Sequence, residues 1–179
     1  MNKHADRPAA KRPGGWADRF RSFACCWLAC ALALCATAAG AATCSVTAST
    51  LAFGTYNPLT GTPLDSTTTI NVSCTKGAPS SETVNYTIAL STGSGSYVTR
   101  TMSSGAQVMN YNLYTTTGRT TVWGNGTGAT VTISNSFSLT NGSPTQNRNH
   151  TVFGRVPNDQ DVGAGSYVTG TPITVTVTY

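Results

Sequence analysis

The chain has 179 residues, a length that suits one domain. Only 9% of the residues are charged and 39% are apolar, which excludes a disordered chain, a coiled coil and a long solvated helix. The formal net charge is +5, but residues 1–22 hold six Lys or Arg against two Asp, and the remaining cationic residues are scattered. No basic stripe follows a phosphate backbone, so a nucleic-acid partner is excluded.

The N-terminal segment has the pattern of a secretory signal peptide. A basic stretch precedes an apolar run at residues 23–38, and small residues follow at 39–41. The run of about 16 apolar residues is short for a membrane span, which disfavours the alternative of a membrane anchor. We therefore expect residues 1–41 to be the signal peptide and residues 42–179 to be one exported domain without a membrane span, and the exact cleavage site stays open.

Two cysteines, Cys44 and Cys74, remain after this cleavage. In an oxidising compartment a single pair most simply forms one disulfide, which the chain-entropy model credits with about 3–4 kcal/mol. Two free thiols or a metal pair are poorer interpretations, because no nearby residues complete a metal site. We predict one disulfide, no metal and no cofactor.

The exported part of the chain alternates apolar and polar residues with a period of two, which is typical of β-strands. In chain order, the predicted strands cover residues 44–48, 51–56, 69–74, 84–90, 109–114, 130–139, 151–156 and 173–179. Turn-forming residues (Gly, Pro and Asn) separate many of them, and no window shows helical spacing. The pattern predicts an all-β, antiparallel sandwich. Cys44 and Cys74 alternate in step with the apolar residues of their strands, so we expect both side chains to point into the core.

Catalytic residues are not evident in the sequence. His150 is the only histidine after cleavage, and no G-x-S-x-G motif accompanies it, so we expect a surface residue at a strand end. Asp159 and Asp161 are weak candidates for a calcium site, and a glycosidase pair is poorly supported because the acids are few. The prediction is a protein that is not an enzyme.

Several segments of the exported chain resemble the spore coat protein U domain, found in Csu-type subunits of archaic chaperone–usher pili. The matching stretches are residues 44–58, 66–74, 86–102, 109–128, 151–156 and 165–179. The most specific part contains Tyr111, Asn112, Leu113 and Tyr114, together with Trp123-Gly124. Cys44 and Cys74 fall where the disulfide of this family lies.

The resemblance implies an immunoglobulin-like sandwich that lacks its last strand. A periplasmic chaperone would fill the open groove, and an extension of a neighbouring pilin subunit would replace the chaperone at an outer-membrane usher, by β-strand addition. The acceptor edge would be the closing segment ITVTVTY, with Ile173, Val175, Val177 and Tyr179. Because the sequence stops after this segment, we expect the edge to stay uncovered until another chain pairs with it.

The resemblance also suggests an asymmetry in assembly. With cleavage after Ala41, only Ala42 and Thr43 precede Cys44, so the subunit would accept a strand without donating one. The asymmetry would place the chain at a pilus tip or in a non-polymerised secreted role, and we expect a structural subunit of a cell-surface pilus that serves adhesion or biofilm formation.

The alternative is a free secreted protein that resembles spore coat proteins or binds carbohydrate. The aromatic residues that could line a sugar-binding face are Tyr56, Tyr97, Tyr114, Trp123 and Tyr167. Scattered tyrosines on strands more often serve packing, which favours the pilus subunit.

Overall fold

The computed structural model describes residues 40–179, so almost all of the predicted signal peptide lies outside the described residues. The strands are β1 Thr43–Ala48, β2 Leu64–Thr75, β3 Glu82–Leu90, β4 Arg100–Ser104, β5 Gln107–Tyr114, β6 Ile133–Leu139, β7 Thr145–Val156 and β8 Val175–Thr178. A single turn of 3-10 helix, Pro58–Thr60, is the only helical segment in this part of the chain. The all-β prediction is confirmed.

The strands form two sheets that pack face to face. One sheet has the order β1-β2-β7-β5-β4 and the other has the order β6-β3-β8. All pairs of these strands are antiparallel. The longest pair, β2 with β7, runs from Leu64 opposite Val156 to Thr75 opposite Thr145. This arrangement confirms the antiparallel sandwich.

The core follows the alternation of the sequence, because successive side chains of a strand point to opposite faces. In β3 every second residue is buried, and the same parity buries apolar residues of β2, β5 and β7. The fully buried indole of Trp123 donates a hydrogen bond to the Ile88 carbonyl at 3.1 Å, which ties the loop after β5 to the opposite sheet.

The predicted strand at residues 51–56 is wrong. This segment forms no ladder, and hydroxyl groups of β2 bond instead to backbone carbonyls of residues 49–52. Ser66 Oγ donates to the Ala52 carbonyl at 2.6 Å, and Thr68 Oγ1 donates to the Ser49 carbonyl at 2.9 Å. Strand β4 was not predicted, because the buried Arg100 interrupts its apolar alternation.

The predicted disulfide is present. Cys44 lies directly opposite Cys74 in the β1–β2 ladder, with the Cα atoms 4.0 Å apart and the sulfur atoms bonded at 2.00 Å. Cys74 is fully buried and Cys44 is partly buried. The bond therefore fastens the outermost strand of the larger sheet to its neighbour.

The expectation that His150 lies on the surface at a strand end is wrong. Strand β7 begins at Thr145, so His150 lies within the strand, has the inward parity of Val152, and is only 7% exposed. Its Nε2 atom is 2.9 Å from the Tyr86 hydroxyl. Burial, with a smaller contribution from the charge of Arg148, lowers the pKa of His150 below its ordinary value.

Candidate strand-acceptor site

Two outer strands lie near each other on one side of the sandwich. Strand β1 is the end of the larger sheet and β8 is the end of the smaller sheet. Some of their Cα atoms lie within 8 Å of each other, yet no ladder joins the two strands within residues 40–179. Each strand is therefore hydrogen-bonded on one edge, and its other edge is open.

The open edge of β8 presents backbone groups at alternate residues. The Ser91 N–H donates to the Thr174 carbonyl at 2.9 Å, which makes these two residues a hydrogen-bonded pair. Because such pairs alternate along an antiparallel ladder, the N–H and C=O groups of Val175 and Val177 point away from β3. Both valine side chains are partly buried and pack against the core. An incoming strand would find free backbone groups here.

The same geometry holds at β1. The Ser49 N–H donates to the Thr69 carbonyl at 3.0 Å, so the backbone groups of Val46 and Ala48 point away from β2 toward the open edge. Val46 has the parity of the half-buried Cys44, yet 37% of it is exposed. An apolar side chain on the inner face of β1 therefore lacks a covering neighbour.

A cleft lies between the segment that follows β1 and the segment that precedes β8. It contains two cavities of about 950 and 320 Å³, which share Leu51, Phe53 and Met102 as lining residues. The lining residues include core positions from both sheets: Ile70, Leu90, Met102, Tyr111, Leu113 and Val152. No lining residue is charged. We call this space the acceptor cleft, and it suits an uncharged, largely apolar occupant.

Two glycines make room for the walls of the acceptor cleft. A Cβ atom on Gly154 of β7 would lie 2.6 Å from Leu51 Cδ2 and 2.9 Å from Phe53 Cε1. A Cβ atom on Gly93 would lie 2.6 Å from Ile173 Cδ1, and the positive φ of 61° at Gly93 also favours glycine. Both walls therefore approach the sheets at positions where no side chain intervenes.

Three of the four residues predicted at the acceptor edge lie along this side. Ile173 and Val175 line the smaller cavity, and Val177 packs against the core beside it. Tyr179 lies beyond the end of β8, is 56% exposed, and borders a different depression near Ser134.

Sequence reasoning missed the opposite wall of the cleft, which contains Leu51 and Phe53. Their alternating apolar pattern was visible in the sequence. It was interpreted as a strand within the sheet because the hydroxyl contacts from β2 cannot be seen in a sequence.

A buried arginine lies close to the lining of the acceptor cleft. Arg100 Nη1 donates to Asn112 Oδ1 at 2.5 Å, and Nη2 donates to the carbonyls of Ser91 and Trp123 at 2.9 and 2.8 Å. All three acceptors are neutral, and burial lowers the pKa of Arg100. The network holds β4, β5 and two loops together, which is a structural role that the sequence did not reveal.

Three of the five aromatic residues considered for a sugar-binding face are engaged within the domain. The Tyr56 hydroxyl accepts from the Gln160 N–H at 2.9 Å, and the Tyr167 hydroxyl donates to the Gly163 carbonyl at 2.7 Å. Trp123 is fully buried. These side chains serve the packing and bonding of the domain itself.

His150 and the acidic residues form no cluster suited to a metal ion in the part of the chain that the structure describes. The only side-chain hydrogen-bond partner of His150 there is the Tyr86 hydroxyl. No three His, Cys, Asp or Glu residues of that part lie close enough together to hold a metal ion.

Comparison with known proteins gives one finding. The model of the Spore Coat Protein U domain family matches residues 31–178, which include all eight strands and begin within the predicted signal segment. A comparison with curated proteins gives no match. Within residues 40–179, no helix has the length and hydrophobicity needed to cross a membrane.

Proposed function

The chain belongs to the Spore Coat Protein U domain family, and we propose that it is a secreted subunit of an archaic chaperone–usher pilus assembled by donor-strand complementation. The family is a structural, pilin-type surface domain, and membership is consistent with a pilin-like subunit of chaperone–usher systems. The observation that carries the finer proposal is the uncharged acceptor cleft at the end of β1 and the start of β8, two strands whose outer edges are open.

The physical basis is β-strand addition. The outward backbone groups of Val175 and Val177 would pair with an incoming strand, and the alternate side chains of that strand would enter the cleft. Uncovered apolar edges such as this one favour uncontrolled association. We therefore propose that a periplasmic chaperone covers the edge first, and that a neighbouring pilin subunit replaces the chaperone at an outer-membrane usher.

The place of the subunit within the pilus depends on signal cleavage. If cleavage occurs after Ala41, two residues precede Cys44. They would span about 7 Å, which is too short to fill the cleft of another copy. We propose that such a subunit accepts a strand without donating one, at the tip of a pilus that serves adhesion or biofilm formation. Purified mature protein that forms regular fibres by itself under electron microscopy would contradict this placement.

The proposal is tested by exporting the domain with and without a periplasmic chaperone of archaic chaperone–usher pili. We expect the domain alone to aggregate or to be degraded, and a one-to-one complex to be recovered with the chaperone. Val175→Asp should abolish capture because it places a charge in the apolar cleft. The matched control Thr176→Asp should not, because Thr176 faces solvent on the same strand.

The opposite result would favour a free secreted protein. A lone domain that is soluble, monomeric and cooperatively folded without the chaperone would contradict the missing strand. Equal capture of the Val175→Asp and Thr176→Asp variants would show that the chaperone binds elsewhere.

A further inference from the structure

One polar group in the lining of the acceptor cleft has no partner. Tyr111 of β5 lines the smaller cavity and is only 4% exposed, and its hydroxyl makes no hydrogen bond within the described residues. The tyrosines of the larger cavity, Tyr56 and Tyr167, both have bonded hydroxyls. A buried hydroxyl without a partner destabilises the domain, so an occupant that reaches it and bonds it gains affinity.

The surroundings of Tyr111 select the chemistry of that partner. Arg100 lies directly opposite Tyr111 in the β4–β5 ladder, and its buried positive charge has only neutral acceptors. Its Nε atom is also buried without a partner. A positive charge beside the hydroxyl favours an incoming oxygen atom that accepts a hydrogen bond. The neighbours on the cavity side are apolar, with the Phe53 ring edge-on at 5.7 Å, which disfavours an ionised carboxylate.

We propose that the Tyr111 hydroxyl donates a hydrogen bond to a neutral, oxygen-bearing side chain of the incoming strand, such as Thr, Ser or Asn, and thereby sets the register of that strand. This inference rests on the proposed function. A cleft lined only by uncharged residues discriminates weakly between a strand and the same strand shifted by two residues, because both present apolar side chains inward. One polar contact removes this ambiguity, as a single buried Asn does in coiled coils.

The test uses host peptides that alternate Val and Thr over about ten residues, enough to span a strand. Each inward position in turn carries a Val, Thr or Asp guest, and Val and Thr have nearly the same shape. Exchange of each peptide into the subunit–chaperone complex is measured for the wild type and for Tyr111→Phe. At one inward position the wild type should bind the Thr guest more tightly than the Val guest. Tyr111→Phe should shift the ratio of the two affinities about tenfold toward the Val guest.

A matched control tests whether the loss of any tyrosine hydroxyl, and not only that of Tyr111, changes the preference between the guests. Tyr86→Phe removes a buried hydroxyl outside the acceptor cleft, whose partner is His150, so the ratio of the affinities for the Thr and Val guests should stay at its wild-type value. If the Tyr111→Phe variant folds poorly, a second measurement on the wild type tests the same contact. In the wild type, a slowly exchanging Tyr111 hydroxyl proton should be visible by NMR with the Thr peptide and should be absent with the Val peptide.

Three outcomes would overturn the inference. An unchanged guest ratio in Tyr111→Phe, with normal peptide exchange, overturns the role of Tyr111 and leaves the proposed function standing. Tighter binding of the Asp guest than of the Thr guest would show that the cleft selects the charge of Arg100 instead. If no peptide enters the complex at any register, the proposed function fails together with the inference.

Discussion

The two edge strands of the smaller sheet, β6 and β8, meet the larger sheet in opposite ways. On the β6–β7 side, polar side chains join the sheets: Arg148 donates to Asn135 Oδ1, and Gln146 Nε2 donates to the Ser138 carbonyl at 2.5 Å. On the β1–β8 side, no side-chain hydrogen bond among residues 40–179 joins the two strands. The difference shows that long polar side chains seal the space between the sheets at β6, whereas the space at β8 keeps apolar residues without such contacts, although both strands are edges of the smaller sheet.

The core beneath each side differs in the same way. Near the sealed side, Tyr86 stacks on Phe137 at 5.1 Å, and Arg148 lies 5.5 Å from the centre of the Phe137 ring. Near the open side, Val46 and Leu51 border space instead of a neighbouring strand. A strand that filled the open side would cover these residues, as the proposed function expects.

The contribution of each side to stability can be measured in a self-complemented form of the protein. In this form an alternating Val/Thr strand is fused after Tyr179 through a Gly/Ser linker. An open form with a Gly/Ser segment of equal length is its counterpart. Equilibrium unfolding of the self-complemented form gives the free energies discussed below.

The largest expected effect is loss of the disulfide that holds the outer strand of the open side. The double variant Cys44→Ala/Cys74→Ala should lower the free energy of unfolding by about 3–4 kcal/mol, since it releases the closed loop in the unfolded state. Urea unfolding measures the change. An unchanged midpoint would show that β1 does not need the bond.

The next effect concerns the wall of the acceptor cleft. Gly154→Ala should cost about 1–3 kcal/mol and should displace Leu51 and Phe53, because the new Cβ atom would overlap both side chains. Gly142→Ala is the control, since its only near neighbour is 4.0 Å away, and it should change stability by less than about 0.5 kcal/mol. Equal stability of the two variants would contradict the close approach of the wall.

The free energy of unfolding should depend on pH through His150, which lies near the sealed side. Since burial lowers the pKa of His150, the unfolded chain binds a proton below about pH 6.5 before the folded chain does. Stability contributed by neutral His150 is therefore complete above pH 6.5. It is lost as the pH falls through the folded pKa, by at most about 1.4 kcal/mol per pH unit.

His150→Gln should flatten this dependence between pH 6.5 and 5. Asp65, whose pKa is lowered from 3.8 chiefly by its hydrogen bond with Arg155, titrates at lower pH and does not interfere. A wild-type stability that stays constant over this interval would contradict the burial of a neutral His150.

The smallest effect is expected at the seal itself. Arg148→Met keeps an unbranched apolar stem but removes the hydrogen bond to Asn135 and the charge over Phe137. Partly exposed contacts of this kind contribute about 0.5–1 kcal/mol. A loss above about 2 kcal/mol in urea unfolding would mean that the seal is a main source of stability.

The fold could be predicted from the sequence wherever one face of a strand is buried and the other is exposed to solvent. In β3 and β8 the alternation indicated the inward residues correctly, and the single pair of cysteines in the exported part predicted the bond between Cys44 and Cys74. It failed where long-range polar contacts override the pattern. Arg100 occupies a core position that only its distant acceptors make tolerable, and the hydroxyls of Ser66 and Thr68 replace a ladder.

The acceptor cleft was only half predictable for a related reason. A strand edge follows from alternation, so Val175 and Val177 could be named from the sequence. The opposite wall depends on Gly154 being directly beneath Leu51 and Phe53, which are about a hundred residues away in the chain. Such a contact leaves no local periodic signal.

Backbone hydrogen exchange at β8 tests the open edge most directly. In a dilute sample of the open form, the amides of Val175 and Val177 should exchange quickly because they point away from β3, whereas the Thr176 amide should be protected. In the self-complemented form all three amides should be protected. Slow exchange of Val175 and Val177 in the open form, or no change on adding the fused strand, would contradict the account.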